Sequence, residues 1–296
     1  GPDSRNRTLL SPFASRTGRN QPKSSELVFG PAKWLRKLVR PEPGMALAYL
    51  DYEQQEFGIA AALSRDQRMQ AAYNSRDPYL EFAKQAGAVP ADGTRQSHPL
   101  QRELFKTCCL GVQYGMGIDT LAKRTGLCHA QARELHDLHR ATYPDYWRWS
   151  QGALDFANMN GELRAAFGWR VRADDHTNPC FLRNFPLQAN GAEMLRIACI
   201  LALEARIKIC APVHDALLIE AGDSAIDEDA LRCTVAMQRA SQLVLDGFTL
   251  RAETKIIRYP DRFPVSESAA RMWTEIIDLL EGITADETPT CSAAGQ

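Results

Sequence analysis

The chain has 296 residues, of which 45% are hydrophobic, and a formal net charge of −1. This length and apolar content allow a substantial core, in one large domain or two interleaved subdomains, and the near-neutral charge neither indicates nor excludes a nucleic-acid partner. The eight scattered cysteines exclude a disulfide framework and a zinc knuckle, and the charges that interrupt the longest apolar stretch, residues 192–213, exclude a membrane span.

The first forty residues are basic and lack a regular apolar pattern. Residues 1–15 are polar and are expected to form a flexible segment. The arginines and lysines between Arg16 and Arg40 are candidates for a surface that follows a phosphate backbone, whereas Arg5 and Arg7 fit a solvated tail better.

A strand followed directly by a helix is predicted next. Residues 45–50 are almost wholly apolar, and from residue 53 to residue 64 the apolar positions recur at helical spacing. Asp51 lies at the junction, where a buried strand can deliver a carboxylate to a surface. Taken alone, an aspartate at this place caps a helix about as often as it binds a metal ion.

Helices are predicted through residues 65–175. One of them carries Arg102, Lys106, Leu110 and Tyr114 at intervals of four residues, which places all four on one helix face. Two cations one turn apart suit a polyphosphate, because arginine can fork onto its oxygens and lysine acts as a point charge. The alternative for this stretch is an ordinary amphipathic helix.

A hairpin and a further strand are predicted near the C-terminus. The apolar arms 209–213 and 216–219 flank His214 and Asp215, so Asp215 is expected at the hairpin tip. Helices are predicted over 191–206, 227–245 and 271–280, and a strand over 248–257. Core positions of the second helix are predicted at Leu231, Val235, Met237, Leu243 and Val244.

The pattern predicts an α+β fold, in which a small antiparallel sheet packs on helices and a helical insertion separates its strands. Two carboxylates on strand ends can share divalent metal ions for phosphoryl or nucleotidyl transfer. The three stretches, Asp-Tyr-x-Gln-x-Glu from Asp51, Arg-x3-Lys-x7-Tyr-Gly from Arg102 and Val-His-Asp ending at Asp215, resemble motifs A, B and C of family A DNA polymerases, the bacterial polymerase I group. The residues around these motifs are most similar to those of a divergent phage or mobile-element branch of the family. The resemblance covers residues 16–260.

The resemblance implies a polymerase palm with a helical fingers insertion and no complete thumb. The implied units are a flexible segment (1–15), palm (16–64), fingers (65–175), palm again (176–262), a C-terminal helix (263–284) and a disordered tail (285–296). A thumb or exonuclease domain would then have to lie upstream of this chain. A monomer in the cytoplasm of a bacterial or phage-infected cell, associated with the nucleoid in replication or repair, is expected.

The resemblance also implies a role for each site residue. Asp51, Asp215 and the carbonyl of Tyr52 would hold two Mg²⁺ ions, with Mn²⁺ as a substitute. The implied nucleotide-binding residues are Arg102, Lys106, Leu110, Tyr114, Glu56 and Tyr79. The implied DNA-binding residues are Arg19, Asn184, Gln188 and His214.

Four positions depart from the family pattern. Ala216 replaces the acidic residue that normally follows His-Asp, and Leu110 replaces an aromatic residue that packs on the incoming nucleotide. Gly58 stands where an arginine is common, and Tyr79 where a histidine often contacts the triphosphate.

The expected function is template-directed DNA synthesis from primer-template DNA and deoxynucleoside triphosphates. Two alternatives remain. One is a catalytically weak or silent nucleic-acid-binding relative, which Ala216 favours slightly and the intact aspartates disfavour. The other is a ribonucleotide-using polymerase of the same fold, which Glu56 disfavours, because its carboxylate would lie where a 2′-hydroxyl must fit.

Overall fold

The computed structural model describes residues 5–23, 27–30 and 32–286. A four-stranded sheet, a lobe of helices and two long helices behind the sheet make up most of it. The elements, in chain order, are β1 (Leu10–Ser11), β2 (Gln21–Pro22), a 3₁₀ helix (Lys33–Leu38), β3 (Met45–Tyr52), α1 (Gln55–Ser64), α2 (Gln67–Asn74), α3 (Pro78–Gln85), α4 (Pro99–Gln113), α5 (Ile118–Thr125), α6 (His129–Thr142), α7 (Pro144–Asn160), β4 (Glu162–Arg164), β5 (Arg170–Arg172), α8 (Pro179–Glu204), β6 (Ile209–Val213), β7 (Ala216–Gly222), α9 (Ile226–Val244), β8 (Ala252–Arg258) and α10 (Glu267–Asp286).

The main sheet has the strand order β6-β7-β3-β8, and every neighbouring pair is antiparallel. Along β3, alternate residues from Ala46 to Tyr52 are almost fully buried in the core cluster that includes α8 and α9. The Tyr52 hydroxyl donates to the Met237 carbonyl at 2.6 Å, which fixes this face toward α9. The other face of β3 therefore carries Tyr49 and Asp51. The predicted α+β architecture is confirmed.

The helical lobe, α2 to α7, is inserted between β3 and the β6–β7 hairpin. Its core is aromatic: Phe82 packs edge-on against Phe105 with ring centroids 4.7 Å apart and lies 5.2 Å from Tyr143. Asp66 caps α2 by accepting from the Met69 amide, and its other oxygen accepts from the first amides of α7. One carboxylate thus ties the two ends of the lobe together.

Several predicted boundaries were wrong, most clearly for α8. Its start was predicted at Gly191, but Asn178 caps the helix and Pro179 occupies its first position, so it begins earlier. The helix continues through Pro186, because the flanking Phe185 and Leu187 are fully buried and their packing outweighs the missing hydrogen bond. The helix α5 was not distinguished within the helical range 65–175, and the β4–β5 hairpin lies where that range was predicted to be helical.

The core face of α9 was predicted only in part. Met237 and Val244 are buried, but the predicted core residues Leu231, Val235 and Leu243 are 65%, 56% and 44% exposed. The buried side carries small residues instead, which let neighbouring backbone segments approach closely. These small buried residues are Ala230, Cys233, Ala236, Ala240 and Ser241.

The N-terminal segment, expected to be flexible, is partly held in place where it is described. Leu10–Ser11 pairs with Gln21–Pro22, and the Phe13 ring stacks on Trp169 at 5.2 Å. The expected disordered tail, 285–296, lies outside the described residues except for the end of α10. Within the described part of the chain, no helix combines the length and the apolarity that crossing a membrane requires.

Candidate active site

The strand pairing brings Asp51 and Asp215 together at one end of the sheet. Asp51 lies on β3 directly opposite Ala216, the first residue of β7, and the Asp215 carboxylate, one residue earlier in the turn, lies close enough to act on Asp51. The Tyr52 amide also donates to the Asp215 carbonyl at 3.4 Å. His214 adopts a left-handed φ of 56°, and this conformation lets the hairpin turn within two residues. The predicted hairpin with Asp215 at its tip is confirmed.

The aspartate pair is an electrostatically unfavourable arrangement on its own. The Oδ1 atom of Asp51 is buried and has no hydrogen-bond partner. Burial, followed by the nearby Asp215 carboxylate, raises the pKa of Asp51 to about 7. Burial and these same two carboxylates also raise the pKa of the Tyr49 phenol. Concentrated negative charge with an unsatisfied oxygen is an environment that a bound cation would stabilise.

The oxygen donors at this place fit Mg²⁺. The Glu53 amide donates to the Arg251 carbonyl at 2.9 Å on the β8 side, so the Tyr52 carbonyl of the same trans peptide points the opposite way, toward the β6–β7 hairpin. Two carboxylates and this carbonyl are hard oxygen ligands. Nowhere in the described residues do three or more His, Cys, Asp or Glu side chains form a metal-binding group, so substrate and water would have to complete the coordination.

The two cations on α4 face the same groove as the aspartates. Arg102 is 13% exposed, and its Nε donates to Asp77 Oδ2 at 2.6 Å. Its guanidinium also lies 5.7 Å from the centre of the Tyr79 ring. Lys106 follows one turn later and is 36% exposed. Tyr79 is almost buried, which places its ring beneath the arginine as a support.

A hydrogen-bonded triad lies between the cations and the sheet. Glu56 Oε1 accepts from the Tyr114 hydroxyl at 2.7 Å and from Arg19 Nη2 at 3.1 Å. Burial, and then this bond to Glu56, raises the pKa of Tyr114 to about 12, so the phenol stays protonated near neutral pH. Gln188 also lies against the Tyr114 hydroxyl. The triad joins α1, the end of α4 and the N-terminal loop.

The loop that carries Arg19 is fixed by contacts from distant parts of the chain. Gly18 has a φ of 73°, and its carbonyl accepts from Arg196 Nη1 at 2.7 Å. The Trp169 indole donates to the Arg16 carbonyl at 3.1 Å and leaves no room for a side chain at Gly18. These contacts explain why a loop without regular structure can hold Arg19 against Glu56.

These groups surround one open groove with an empty volume of about 1220 Å³. It brings together eleven of the thirteen residues predicted for the site. The lining residues are Arg19, Asp51, Tyr52, Gln54, Gln55, Glu56, Phe57, Tyr79, Arg102, Lys106, Leu110, Tyr114, His214 and Asp215.

The two remaining predicted residues, Asn184 and Gln188, do not line the groove. Asn184 is 5% exposed, and its amide donates to the Gln113 carbonyl at 3.0 Å. In this conformation the Asn184 side chain is too buried to contact DNA directly. It supports the end of α4 instead. Gln188 lies behind Tyr114.

The lining residues Gln54, Gln55 and Phe57 were not predicted from the sequence, and neither were three residues that hold the side chains of the site. Asp77 and Glu103 bind the α4 cations, and Arg251 clasps the turn after Asp51. The i,i+3 spacing of Glu103 and Lys106 was a signal from which the role of Glu103 could have been predicted. The pairings of Asp77 and Arg251 join residues far apart in the chain and left no local signal.

The arginine that is common at position 58 would not fit here. A side chain at Gly58 would collide with Leu250, and its first carbon would lie 2.9 Å from Tyr73. Arg251 reaches the neighbouring turn instead, where its Nε donates to Glu53 at 3.1 Å and its guanidinium stacks 4.3 Å from the Tyr73 ring centre.

Comparison with known proteins gives the family. Residues 20–257 match the model of DNA polymerase family A. The chain belongs to DNA polymerase family A. It is 25% identical over 225 residues to a thermostable DNA polymerase I of Thermus caldophilus. This aligned region covers 71% of this chain and 27% of that protein. It is 28% identical over 244 residues to a DNA polymerase of Mycobacterium phage L5, which covers 81% of this chain and 39% of the relative.

The fold of this family A chain also matches a solved structure. The POL domain of Pol1 from M. smegmatis, in complex with DNA primer-template and dNTP, superposes with a TM-score of 0.77 over 87% of this chain and 48% of that one, at 23% identity. The match shows a shared palm-and-fingers fold. The chain spans less than two-fifths of the length of these curated relatives.

Proposed function

We propose that this family A chain is a DNA-directed DNA polymerase, which adds deoxynucleotides to a primer 3′-hydroxyl with two Mg²⁺ ions. One observation carries the proposal: the aspartate pair, with its unsatisfied buried oxygen, faces Arg102 and Lys106 across a single groove. Nucleotidyl transfer needs metal ions at the attacking and leaving oxygens and cations that hold the triphosphate, so both sets of groups must face one groove. The family and its relatives support the same reaction class.

Each group in the groove has a role in this proposal. Asp51, Asp215 and the Tyr52 carbonyl would hold the metal ions. When bound, these ions would activate the primer hydroxyl and neutralise the charge of the leaving pyrophosphate. Arg102 and Lys106 would bind the triphosphate, since Arg102 is oriented by Asp77 and Lys106 lies one turn further along the groove.

The DNA partner would approach from the sheet side of the groove. His214 is exposed at the hairpin tip, and Arg19 is held beside Glu56 at the same end. These two side chains are therefore the proposed contacts to the primer terminus. Gln188 would act through Tyr114, and the basic residues between Arg16 and Arg40 would contact phosphates. The solved relative, the Pol1 domain, is itself in complex with DNA primer-template and dNTP, and this supports the same partners here.

Primer extension tests the proposal. The full chain is incubated with a primed template, the four deoxynucleotides and Mg²⁺, or Mn²⁺ as a substitute, and the products are resolved on a gel. Asp51→Asn and Asp215→Asn should each lower extension by about 10³-fold or more. Both variants should bind the primed template as the parent does, because neither changes the DNA-facing cations.

Either variant extending primers at a near-normal rate would refute the metal-pair assignment. Ala216, which removes a carboxylate that is usual beside the pair, favours a second candidate, a binding protein without catalysis. A parent chain that binds primed DNA but extends it with neither metal would establish that candidate instead.

A further inference from the structure

Glu103 links the two cations of the proposed triphosphate site. Lys106 Nζ donates to Glu103 Oε1 at 2.9 Å, and Arg102 Nη1 donates to Glu103 Oε2 at 3.3 Å. One carboxylate therefore takes a donor from each cation. Its bonds, first of all the one from Lys106, hold the pKa of Glu103 below its usual range, so this side chain is ionised at neutral pH.

Asp77 contacts the same arginine in a different way. It accepts from Arg102 Nε, the inner nitrogen, and its other oxygen caps α3 by accepting from the Leu80 amide at 3.2 Å. Asp77 is 25% exposed and is fixed by its cap, so it orients the guanidinium. Glu103 is 58% exposed and takes an outer nitrogen of that guanidinium, Nη1. An outer nitrogen is the part of an arginine fork that phosphate oxygens bind.

We propose that Glu103 is a built-in competitor of the nucleotide, which occupies the Arg102 and Lys106 donors until a triphosphate displaces it. This inference rests on the proposed function and concerns the same site. A triphosphate carries more charge and more acceptor oxygens than one carboxylate, so it wins the exchange. Glu103 can swing into water when displaced, because more than half of its side chain is already exposed. The competition lowers the affinity of the site for polyphosphates in general.

The size of the effect follows from the exposure of the partners. Lys106 and Glu103 are 36% and 58% exposed, and ion pairs of this kind change an equilibrium by no more than about fivefold. Removing the competitor should therefore tighten polyphosphate binding by about two- to fivefold. The difference should shrink as salt is raised, because exposed charges are screened.

Calorimetric titration of the full chain with inorganic tripolyphosphate, without divalent metal, tests the inference. Glu103→Gln removes the charge and keeps the size of the side chain. Glu134→Gln removes an equal charge from the exposed face of α6, another helix of the lobe, and serves as the matched control. We expect about two- to fivefold tighter binding by Glu103→Gln and unchanged binding by Glu134→Gln.

Two results would overturn the inference. Binding by Glu103→Gln that is no tighter than that of the parent would show that Glu103 does not compete. An equal gain in Glu134→Gln would show that only net charge matters. If the parent extends primers and Glu103→Gln binds no tighter, this inference alone fails. If Lys106→Ala binds tripolyphosphate as tightly as the parent does, the groove is not a triphosphate site. The proposed function then fails together with this inference.

Discussion

Replacement of Glu56 should relax the choice of nucleotide sugar. The carboxylate is 14% exposed, and its Oε1 already accepts from Tyr114 at 2.7 Å and from Arg19 at 3.1 Å. A ribose 2′-hydroxyl that enters beneath Tyr114 would lose water without gaining a good partner. Such an unsatisfied polar group costs about 1–3 kcal/mol. That range corresponds to about 5- to 150-fold discrimination against ribonucleotides.

Glu56→Ala should remove most of this discrimination. The alanine leaves space for the hydroxyl and frees the Tyr114 phenol, which stays protonated because burial, the largest cause of its raised pKa, remains. We expect the ratio of ribonucleotide to deoxynucleotide kcat/KM to rise by about 5- to 150-fold. Deoxynucleotide use should itself fall, because Arg19 loses its ion-pair partner.

Single-nucleotide primer extension at steady state measures both ratios. Glu56→Gln is the matched control, since it keeps the size of the side chain and an oxygen that can accept from Tyr114. If Glu56→Gln still discriminates against ribonucleotides, the shape of the side chain at position 56 causes the selectivity. If the discrimination is lost, its charge causes the selectivity. If the parent accepts ribonucleotides as readily as deoxynucleotides, or if Glu56→Ala leaves the ratio unmoved, Glu56 is not the gate and a ribonucleotide-using polymerase becomes the better description.

Two further predictions concern the groove wall and the helical lobe. Leu110→Phe should lower the KM for all four deoxynucleotides in primer extension, because Leu110 lines the groove without a flat ring for base and sugar; a change confined to one base would contradict this. His139 is fully buried and accepts from the Trp147 indole at 3.1 Å, and burial lowers its pKa from 6.5 to about 3. As the pH falls, His139 is protonated in the unfolded chain before it is protonated in the folded protein. Its contribution to the free energy of unfolding is therefore fully present above pH 6.5 and is lost as the pH falls toward 3, by about 1.4 kcal/mol per pH unit. Denaturant unfolding at pH 7 and pH 5 should show a smaller acid loss for His139→Phe, and equal losses would contradict the assignment.

The sequence identified most of the site because its geometry is local. Asp51 ends a strand, Asp215 lies in a two-residue turn, and Arg102 and Lys106 are one helical turn apart. Each of these placements depends on the period of a single element, which the apolar pattern reveals. What joins the elements is the antiparallel pairing of β3 with β7, and a hairpin next to a central strand leaves few other registers.

The parts that were not predicted depend on packing between distant elements. On α9 the apolar Leu231 and Val235 face solvent, while alanines and a cysteine are buried, because close packing of backbone segments favours small residues over large ones. Apolar periodicity cannot distinguish such a face from an ordinary apolar stripe. The buried position of Asn184 has the same origin, since α8 begins well before its predicted start and carries this residue into the lobe interface.

The departures from the family pattern differ in what the fold supplies in their place. At Gly58 the space is filled by Tyr73 and Leu250, and Arg251, the residue before β8, brings a guanidinium to the adjacent turn. At Ala216 the position itself carries no acid, and the carboxylate next to Asp51 in the described sheet comes from its other neighbouring strand. Glu253 lies opposite Asp51 on β8, is 58% exposed and pairs with Lys255 at 3.5 Å; its charge adds to the rise in the pKa of Asp51, and that of Lys255 acts against it.

Under the proposed function, the aspartate pair, once ionised by bound metal, would provide two negative charges for two divalent cations. Under the proposed function, the remaining charge must come from the triphosphate, which Arg102 and Lys106 hold across the groove. The binding of metal ions and the binding of nucleotide would then be coupled more tightly here than in a site with a third carboxylate. The charge of the two metal ions would not be neutralised until the triphosphate binds. Under the proposed function, the alanine at position 216 would thus make completion of the metal site depend on the bound nucleotide.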